Sequence, residues 1–167
     1  MNSLENQVAI VTGGAMGIGG ATSRNLADSG AKVLIADVAI ESAETNARAI
    51  RERGGTALVV EADVSKALSI KNMIDRAIEE WGRLDILVNN AGVTQHMRFL
   101  EIGEEDWDRM HAINAKGAFF CMQKAAREMI RQVTATSAAT GANRCTHVCF
   151  QFVCRIYYLD SIMLCTI

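Results

Sequence analysis

Proline is entirely absent from the 167 residues, and beyond Gln132 charge almost disappears: only Arg144, Arg155 and Asp160 remain, and no lysine follows Lys124. No repeat or low-complexity tract accounts for that break. An excess of basic residues is also lacking. The formal net charge of −2 argues against nucleic acid and anionic membrane surfaces as partners. No apolar run is clean enough for a membrane span, because residues 148–167 are interrupted by Gln151, Arg155 and Asp160, and each charge costs about 2.5–3.5 kcal/mol at mid-bilayer. The N-terminal MNSLENQ has neither a basic flank nor an apolar h-region, so a signal peptide is not expected. Five cysteines, an odd number, fit a reducing cytoplasm better than a disulfide framework. Cys145, Cys149 and Cys154 with His147 match no standard zinc spacing, so no metal is expected. What is present, 50% hydrophobic and 22% charged residues, suits about one soluble domain with a real core.

The most informative stretch is residues 7–37. Val8 to Val11 is an unbroken apolar run, as expected of a strand buried on both faces of a parallel sheet. It runs into GGAMGIG. Gly13 permits a sharp turn, Gly17 removes a side chain that would hold the backbone away from a pyrophosphate, and Gly19 lets the following helix pack closely on the strand. The free N–H groups and positive dipole end of that helix are a natural anion site, so a nucleotide is the expected ligand. Ile18, Ala21, Thr22 and Leu26 continue the helix, and Gly30 stops it. A second apolar strand, KVLIA, delivers Asp37 at its carboxyl end. A carboxylate there can accept both hydroxyls of an adenosine ribose and would repel a 2′-phosphate, which favours NAD over NADP.

The same alternation continues. A helix is expected over 40–53, ended by Gly54 and Gly55, then a strand over 57–60 finishing on Asp63 and Val64. Asp63 either accepts from an adenine amino group or, with Ser65, caps the next helix; the two roles are compatible. From Ser65, the stripe Ile70, Met73, Ile74, Ala77, Ile78 and Trp81 reads as core. Leu84 to Val88 forms a fourth strand opening into Asn89, Asn90, Ala91 and Gly92. The two carboxamides suit strand-tying as well as binding, and Ala91 and Gly92 leave room for a ribose. A single long helix is expected over 104–132, with Trp107, Met110, Asn114, Gly117, Cys121, Ala125 and Met129 along one face. Asn114 is the polar exception on that face, a pattern that a satisfied core carboxamide also explains.

Taken together, TGGAMGIG at 12–19, Asp37, Asp63-Val64, NNAG at 89–92 and Asn114 resemble the short-chain dehydrogenase/reductase family from residue 7 to about 130. Within it the chain is similar to 3-oxoacyl-(acyl-carrier-protein) reductases and related alcohol or sugar dehydrogenases. The resemblance implies an α/β, Rossmann-like doubly wound sheet of order 3-2-1-4 and hydride transfer between NAD(H) and a small-molecule alcohol or ketone. It implies that Gly13, Gly17, Ile18 and Gly19 hold the pyrophosphate, Asp63 and Val64 the adenine, and Asn89, Ala91 and Gly92 the nicotinamide-side ribose. It further implies that Asn114 bends its helix and supports a proton relay, and that the 104–132 helix is a candidate surface for a second subunit.

The family pattern stops after residue 132. Members continue with a strand ending in a catalytic Ser, then Tyr and, four residues later, Lys; here Tyr157 is followed at that distance by Ser161 and Tyr158 by Ile162. Ser137 is a weak match to the catalytic serine, since Ser/Thr/Gly clusters usually form turns. A tyrosine titrates near pH 10 and needs a neighbouring cation to act near neutrality; Arg155 is a poor substitute for the lysine. Residues 148–159 read as a β-prone segment. We therefore expect an NAD-binding domain over 1–132, with an incomplete second half of the sheet, and a divergent tail over 133–167. The abrupt change suggests a truncated, frameshifted or alternatively spliced product. The expected function is an NAD(H)-dependent oxidoreductase, catalytically impaired in this chain; the alternative is a non-catalytic nucleotide-binding or subunit-interaction protein derived from one.

Overall fold

The apolar runs become the strands of one parallel sheet in a computed structural model that describes residues 4–94, 98–140, 157–159 and 162–164. Strands β1 (Val8–Thr12), β2 (Lys32–Asp37), β3 (Thr56–Glu61) and β4 (Ile86–Asn89) lie in the order β3-β2-β1-β4. The register sets Thr12 beside Ala36 and Asn89, and Asp37 beside Glu61, so all four carboxyl ends meet at one edge. Helices α1 (Gly17–Asp28), α2 (Ile40–Glu52) and α3 (Ala67–Trp81) connect the strands. β1 and the interior of β2 are buried because both sheet faces are covered. Side-chain alternation divides the core accordingly: Val8, Ile10 and Leu34 pack with Ile70, Met73 and Cys121, while Val11, Val33 and Ile35 pack with Ala43, Ala47 and Ile50. Chain direction reverses its progress between β1 and β4, and the crevice beyond the carboxyl ends at such a point is where ligands bind in open α/β sheets.

Element boundaries differ from the expected ones for identifiable reasons. β4 begins at Ile86 rather than Leu84 because the Asp85 carboxylate accepts from the Val8 backbone N–H at 2.8 Å. The Asp85 N–H in turn donates to the Val8 carbonyl at 2.9 Å, and Arg83 Nη2 pairs with Asp85 at 2.6 Å. α3 begins at Ala67 rather than Ser65, with Lys66 in the N-cap position and no side-chain cap. Asp63 and Ser65 instead build the turn before it: Asp63 Oδ1 accepts from the Ser65 N–H at 3.0 Å and the Ser65 hydroxyl at 2.6 Å.

The expected single helix over 104–132 is three pieces. α4 (Glu104–His111) and α5 (Ala118–Thr140) are joined by a π-helical turn over Ala112–Gly117 centred near Asn114. A π turn adds a residue to the helical repeat and so rotates the faces of α4 relative to those of α5. The apolar stripe consequently loses phase: Cys121, Ala125 and Met129 are buried, while Trp107 is 54% exposed and stacks on His111. α5 also runs eight residues past Gln132, so the change in composition falls inside a helix. Tyr157–Leu159 (β5) and Ile162–Leu164 (β6) pair as an antiparallel hairpin. Arg155 and the cysteine cluster around His147 lie outside the described residues.

Candidate nucleotide-binding site

A cavity of about 290 Å³ opens at the carboxyl edge of the sheet. It is lined by Gly13, Gly17, Ile18 and Gly19 from the turn, by Asp37 and Val38 after β2, by Asp63 and Val64 after β3, and by Ala91 and Gly92 after β4. All but one of the residues singled out for the cofactor therefore converge on one space. Asn89 is absent from the lining; its carboxamide donates to the Ala118 carbonyl at 2.9 Å and ties β4 to α5. Asn114 is also outside the lining and holds Val93, which is within it, through a reciprocal pair: Asn114 Oδ1 accepts from the Val93 N–H and Nδ2 donates to its carbonyl, both at 2.9 Å. Ser137 lies in the last turns of α5, so no strand ends on it and the expected Ser/Thr/Gly turn is not formed there.

The glycine turn is fixed by bonds that short motifs do not reveal. Gly13 has φ +63° and donates to the Ala36 carbonyl at 2.8 Å. The Asn90 carboxamide donates to the Thr12 and Gly13 carbonyls at 3.1 and 3.0 Å. Thr12, fully buried, donates its hydroxyl proton to Val88 and accepts from the N–H groups of Asn90 and Ala91. Gly19 proves necessary against the turn more than against the strand: a Cβ there would stand 2.1 Å from the Gly13 carbonyl oxygen and 2.3 Å from Asn90 Nδ2. Gly117 serves a similar end, since a Cβ would meet the Val64 carbonyl at 2.7 Å and push the π turn off the β3 loop.

The two acidic residues have different surroundings. Asp37 Oδ2 accepts from the Ala15 N–H and Oδ1 from the Ala39 N–H, both at 3.0 Å, which orients the carboxylate at the cavity rim. Asp63 is bonded locally, and the Ser65 hydroxyl is the main influence holding its carboxyl below the ordinary aspartate range, helped by Lys66 and opposed by partial burial. Lys66 Nζ stands 3.0 Å from Asp63 Oδ2. A depressed native pKa means that this turn stabilises the fold fully above about pH 4 and loses its effect as pH falls through the native value. Ser65→Ala should therefore lower the melting temperature at pH 7, and the gap between variant and parent should narrow as pH falls below about 4. A gap independent of pH would show that Asp63 is not the group through which Ser65 acts.

The cavity carries the features that a nucleotide's phosphate and ribose need. The first N–H groups of α1 have no preceding helical carbonyls to bond, Gly17 leaves open space where a Cβ would project, and a carboxylate stands at the end of β2. The family model described as short chain dehydrogenase matches residues 7–147. The chain belongs to that family. Members use a nicotinamide cofactor, NAD or NADP. An uncharacterized oxidoreductase of Thermotoga maritima is 39% identical over 129 residues, covering 77% of this chain and 50% of the relative. Cis-4-hydroxycyclohexanecarboxylate dehydrogenase of Sinomonas cyclohexanicum is 45% identical over 124 residues, covering 74% and 49%. Among solved structures, a short-chain type dehydrogenase/reductase from Mycobacterium marinum superposes with a TM-score of 0.76 at 32% identity, covering 78% of this chain and 53% of that one. The chain spans about half the length of the curated relatives it matches.

Sequence reasoning missed several participants. Val93, Met16 and Ala62 line the cavity, as does Asn90, which the sequence offered only as one of two carboxamides for strand-tying or binding. Asn46 of α2, 5% exposed, donates to the Gly14 carbonyl at 2.9 Å and the Gly20 carbonyl at 3.3 Å, and accepts from Arg24 Nη1 at 2.7 Å. Only the NNAG run carried a signal for Asn90; nothing in a polar-faced helix marks one Asn as buried. Among the described residues no group of three or more His, Cys, Asp or Glu could hold a metal, and no helix is long and apolar enough to cross a membrane.

Proposed function

We propose that this chain binds NAD(H) in the cavity and represents the cofactor-binding half of an oxidoreductase acting on the CH–OH group of a small-molecule alcohol or ketone. The nicotinamide cofactor, when bound, accepts or delivers a hydride. Gly13, Gly17, Ile18 and Gly19 hold the pyrophosphate, Asp37 the adenosine ribose, Asp63 and Val64 the adenine, and Ala91 and Gly92 the nicotinamide-side ribose. Asn89 contributes by fixing the end of β4, and Asn114 by holding Val93. The observation that carries the NAD preference is Asp37 at a rim where, among the described residues, the lining includes no lysine or arginine to pair a 2′-phosphate. The substrate class rests on the names of relatives, which include sorbitol dehydrogenase and secoisolariciresinol dehydrogenase.

Fluorescence titration tests this reading. NADH should bind more tightly than NADPH, and Asp37→Ala should collapse the ratio. A carboxylate–hydroxyl bond is worth about 1.5–3 kcal/mol, so NADH affinity should fall about 10- to 100-fold. The ratio isolates the ribose, because any disturbance of the pyrophosphate-binding turn by the substitution weakens both cofactors alike. Equal affinities in the unmutated chain would refute the assignment.

A second reading, a non-catalytic nucleotide-binding or subunit-interaction protein, is favoured by one feature: neither tyrosine has a lysine four residues on. A second copy would meet the α4–α5 surface, where Trp107, Phe119 and Ile130 are each more than half exposed. A cytoplasmic location belongs to the same proposal and rests on the odd number of cysteines.

A further inference from the structure

We infer that Asn46 is a positioning residue for cofactor discrimination, acting on Asp37 through the Gly14–Ala15 peptide; the inference rests on the nucleotide reading above. In a planar trans peptide the carbonyl oxygen and the N–H point to opposite sides. That single unit is gripped at both ends. Asn46 Nδ2 donates to the Gly14 carbonyl at 2.9 Å, and the N–H of the same peptide, on Ala15, donates to Asp37 Oδ2 at 3.0 Å. Turning the carbonyl away from α2 would turn the N–H away from Asp37. The carboxylate would then keep only the Ala39 N–H and lose the bond that fixes its orientation at the rim.

The clamp is built to hold one orientation. Asn46 is 5% exposed and Ala15 5%, so water offers neither group a ready substitute. Arg24 Nη1 donates to Asn46 Oδ1 at 2.7 Å, which decides that the NH₂ end of the amide faces the turn. A Cβ at Gly20 would stand 3.5 Å from Asn46 Nδ2, an ordinary contact distance, so the amide lies directly against the first turn of α1. Of the residues in this network only Asp37 lines the cavity; the second Asn46 bond, to the Gly20 carbonyl at 3.3 Å, runs to α1, whose N-terminus serves both cofactors alike, so the ratio reports the route through the Gly14–Ala15 peptide.

The discriminating variant is Asn46→Asp, which keeps the shape and the Arg24 partner but has no N–H to donate. NADH and NADPH affinities are measured by fluorescence titration, and exchange of the Ala15 amide by NMR without ligand. NADH affinity should fall about tenfold, the NADH-to-NADPH ratio should fall at least threefold, and the Ala15 amide should exchange at least tenfold faster, with the Val8–Val11 amides unchanged. Asn46→Ala removes the same donor without a buried charge, should give the same pattern, and serves if the aspartate variant does not fold. A merely structural Asn46 would lower the melting temperature and leave both the ratio and the Ala15 exchange as in the parent. An unchanged ratio or unchanged Ala15 exchange in a chain that binds NADH overturns the role of Asn46 alone. Failure of the unmutated chain to bind either cofactor overturns the nucleotide reading and this inference with it.

Discussion

Gly19→Ala should unfold the glycine turn and abolish measurable NADH binding, although the change adds one methyl group to a helix. The added Cβ would lie 2.1 Å from the Gly13 carbonyl oxygen and 2.3 Å from Asn90 Nδ2. The first of these is backbone and cannot rotate aside. Relief therefore requires either α1 to move off the turn, which opens the packing between them, or the Gly13 carbonyl and the Asn90 amide to be displaced, which breaks the bonds from Asn90 to Thr12 and Gly13. Overpacking a tight site costs about 1–3 kcal/mol and more where backbone must yield, so we expect at least about 3 kcal/mol by urea denaturation. Gly17→Ala is the informative contrast. Its φ of +57° makes alanine strained there by about 1–2 kcal/mol, but its Cβ would meet nothing within 4 Å. The alanine at 19 should thus be the more damaging of the two. A Gly19→Ala protein within about 1 kcal/mol of the parent, by the same measure, would mean that the close approach of α1 to Gly13 is not as described.

The turn tolerates little because nearly every polar group in it is already assigned. Ala36 accepts from the Gly13 N–H, Asn90 donates to its carbonyl, Asn46 donates to the Gly14 carbonyl, and Asp37 accepts from the Ala15 N–H. These partners come from β2, the loop after β4, and α2. The nucleotide-facing backbone is therefore a product of the assembled sheet and its covering helices, and its rigidity is a consequence of tertiary structure rather than of the glycines alone.

That distinction explains what could and could not be read from the sequence. The parallel strands and the convergence of Gly13, Asp37, Asp63 and Gly92 were legible because each depends on contiguous signals: an apolar run, a glycine cluster, an acid at a strand end; the 3-2-1-4 order came from the family resemblance. Asn46 was not, since its burial depends on how α2 lies against the turn, and its neighbours Glu44, Thr45 and Arg48 are those of any solvated helix. The π turn was hidden for a related reason. A three-to-four spacing fits Trp107 and Cys121 onto one face only if the helix between them is regular, whereas Asn114 bonds to Val93 and Gly117 packs on Val64 within six residues. The continuation of α5 to Thr140 was obscured by TSAAT, which has turn-prone residues but neither proline nor glycine before Gly141 to stop a helix already anchored by Cys121, Ala125 and Met129.

The 167-residue polypeptide should bind NADH yet turn over alcohols or ketones far more slowly than its family typically does. Binding and chemistry make separate demands on the fold. The turn, Asp37 and the cavity-lining residues after β3 and β4 lie among the described residues, on the four parallel strands and the helices that cover them. Proton transfer to or from the substrate oxygen requires a group whose pKa lies near neutrality. A tyrosine hydroxyl meets that requirement only beside a cation that stabilises its phenolate. No lysine follows Lys124, and Tyr157 and Tyr158 sit in a short hairpin paired with Leu164 and Met163. Losing general acid–base assistance costs about 10²–10⁴ in rate, and losing the residues that orient a substrate multiplies that loss. The check is absorbance of the reduced nicotinamide with sorbitol, cyclohexanol-type alcohols and 3-oxoacyl thioesters, run alongside NADH titration on the same preparation. Tight binding with turnover reduced at least about a hundredfold is the expected result. Family-like turnover abolished by Tyr157→Phe or Tyr158→Phe would instead show that the hairpin supplies a working acid, and that a cation other than a lysine four residues on supports it.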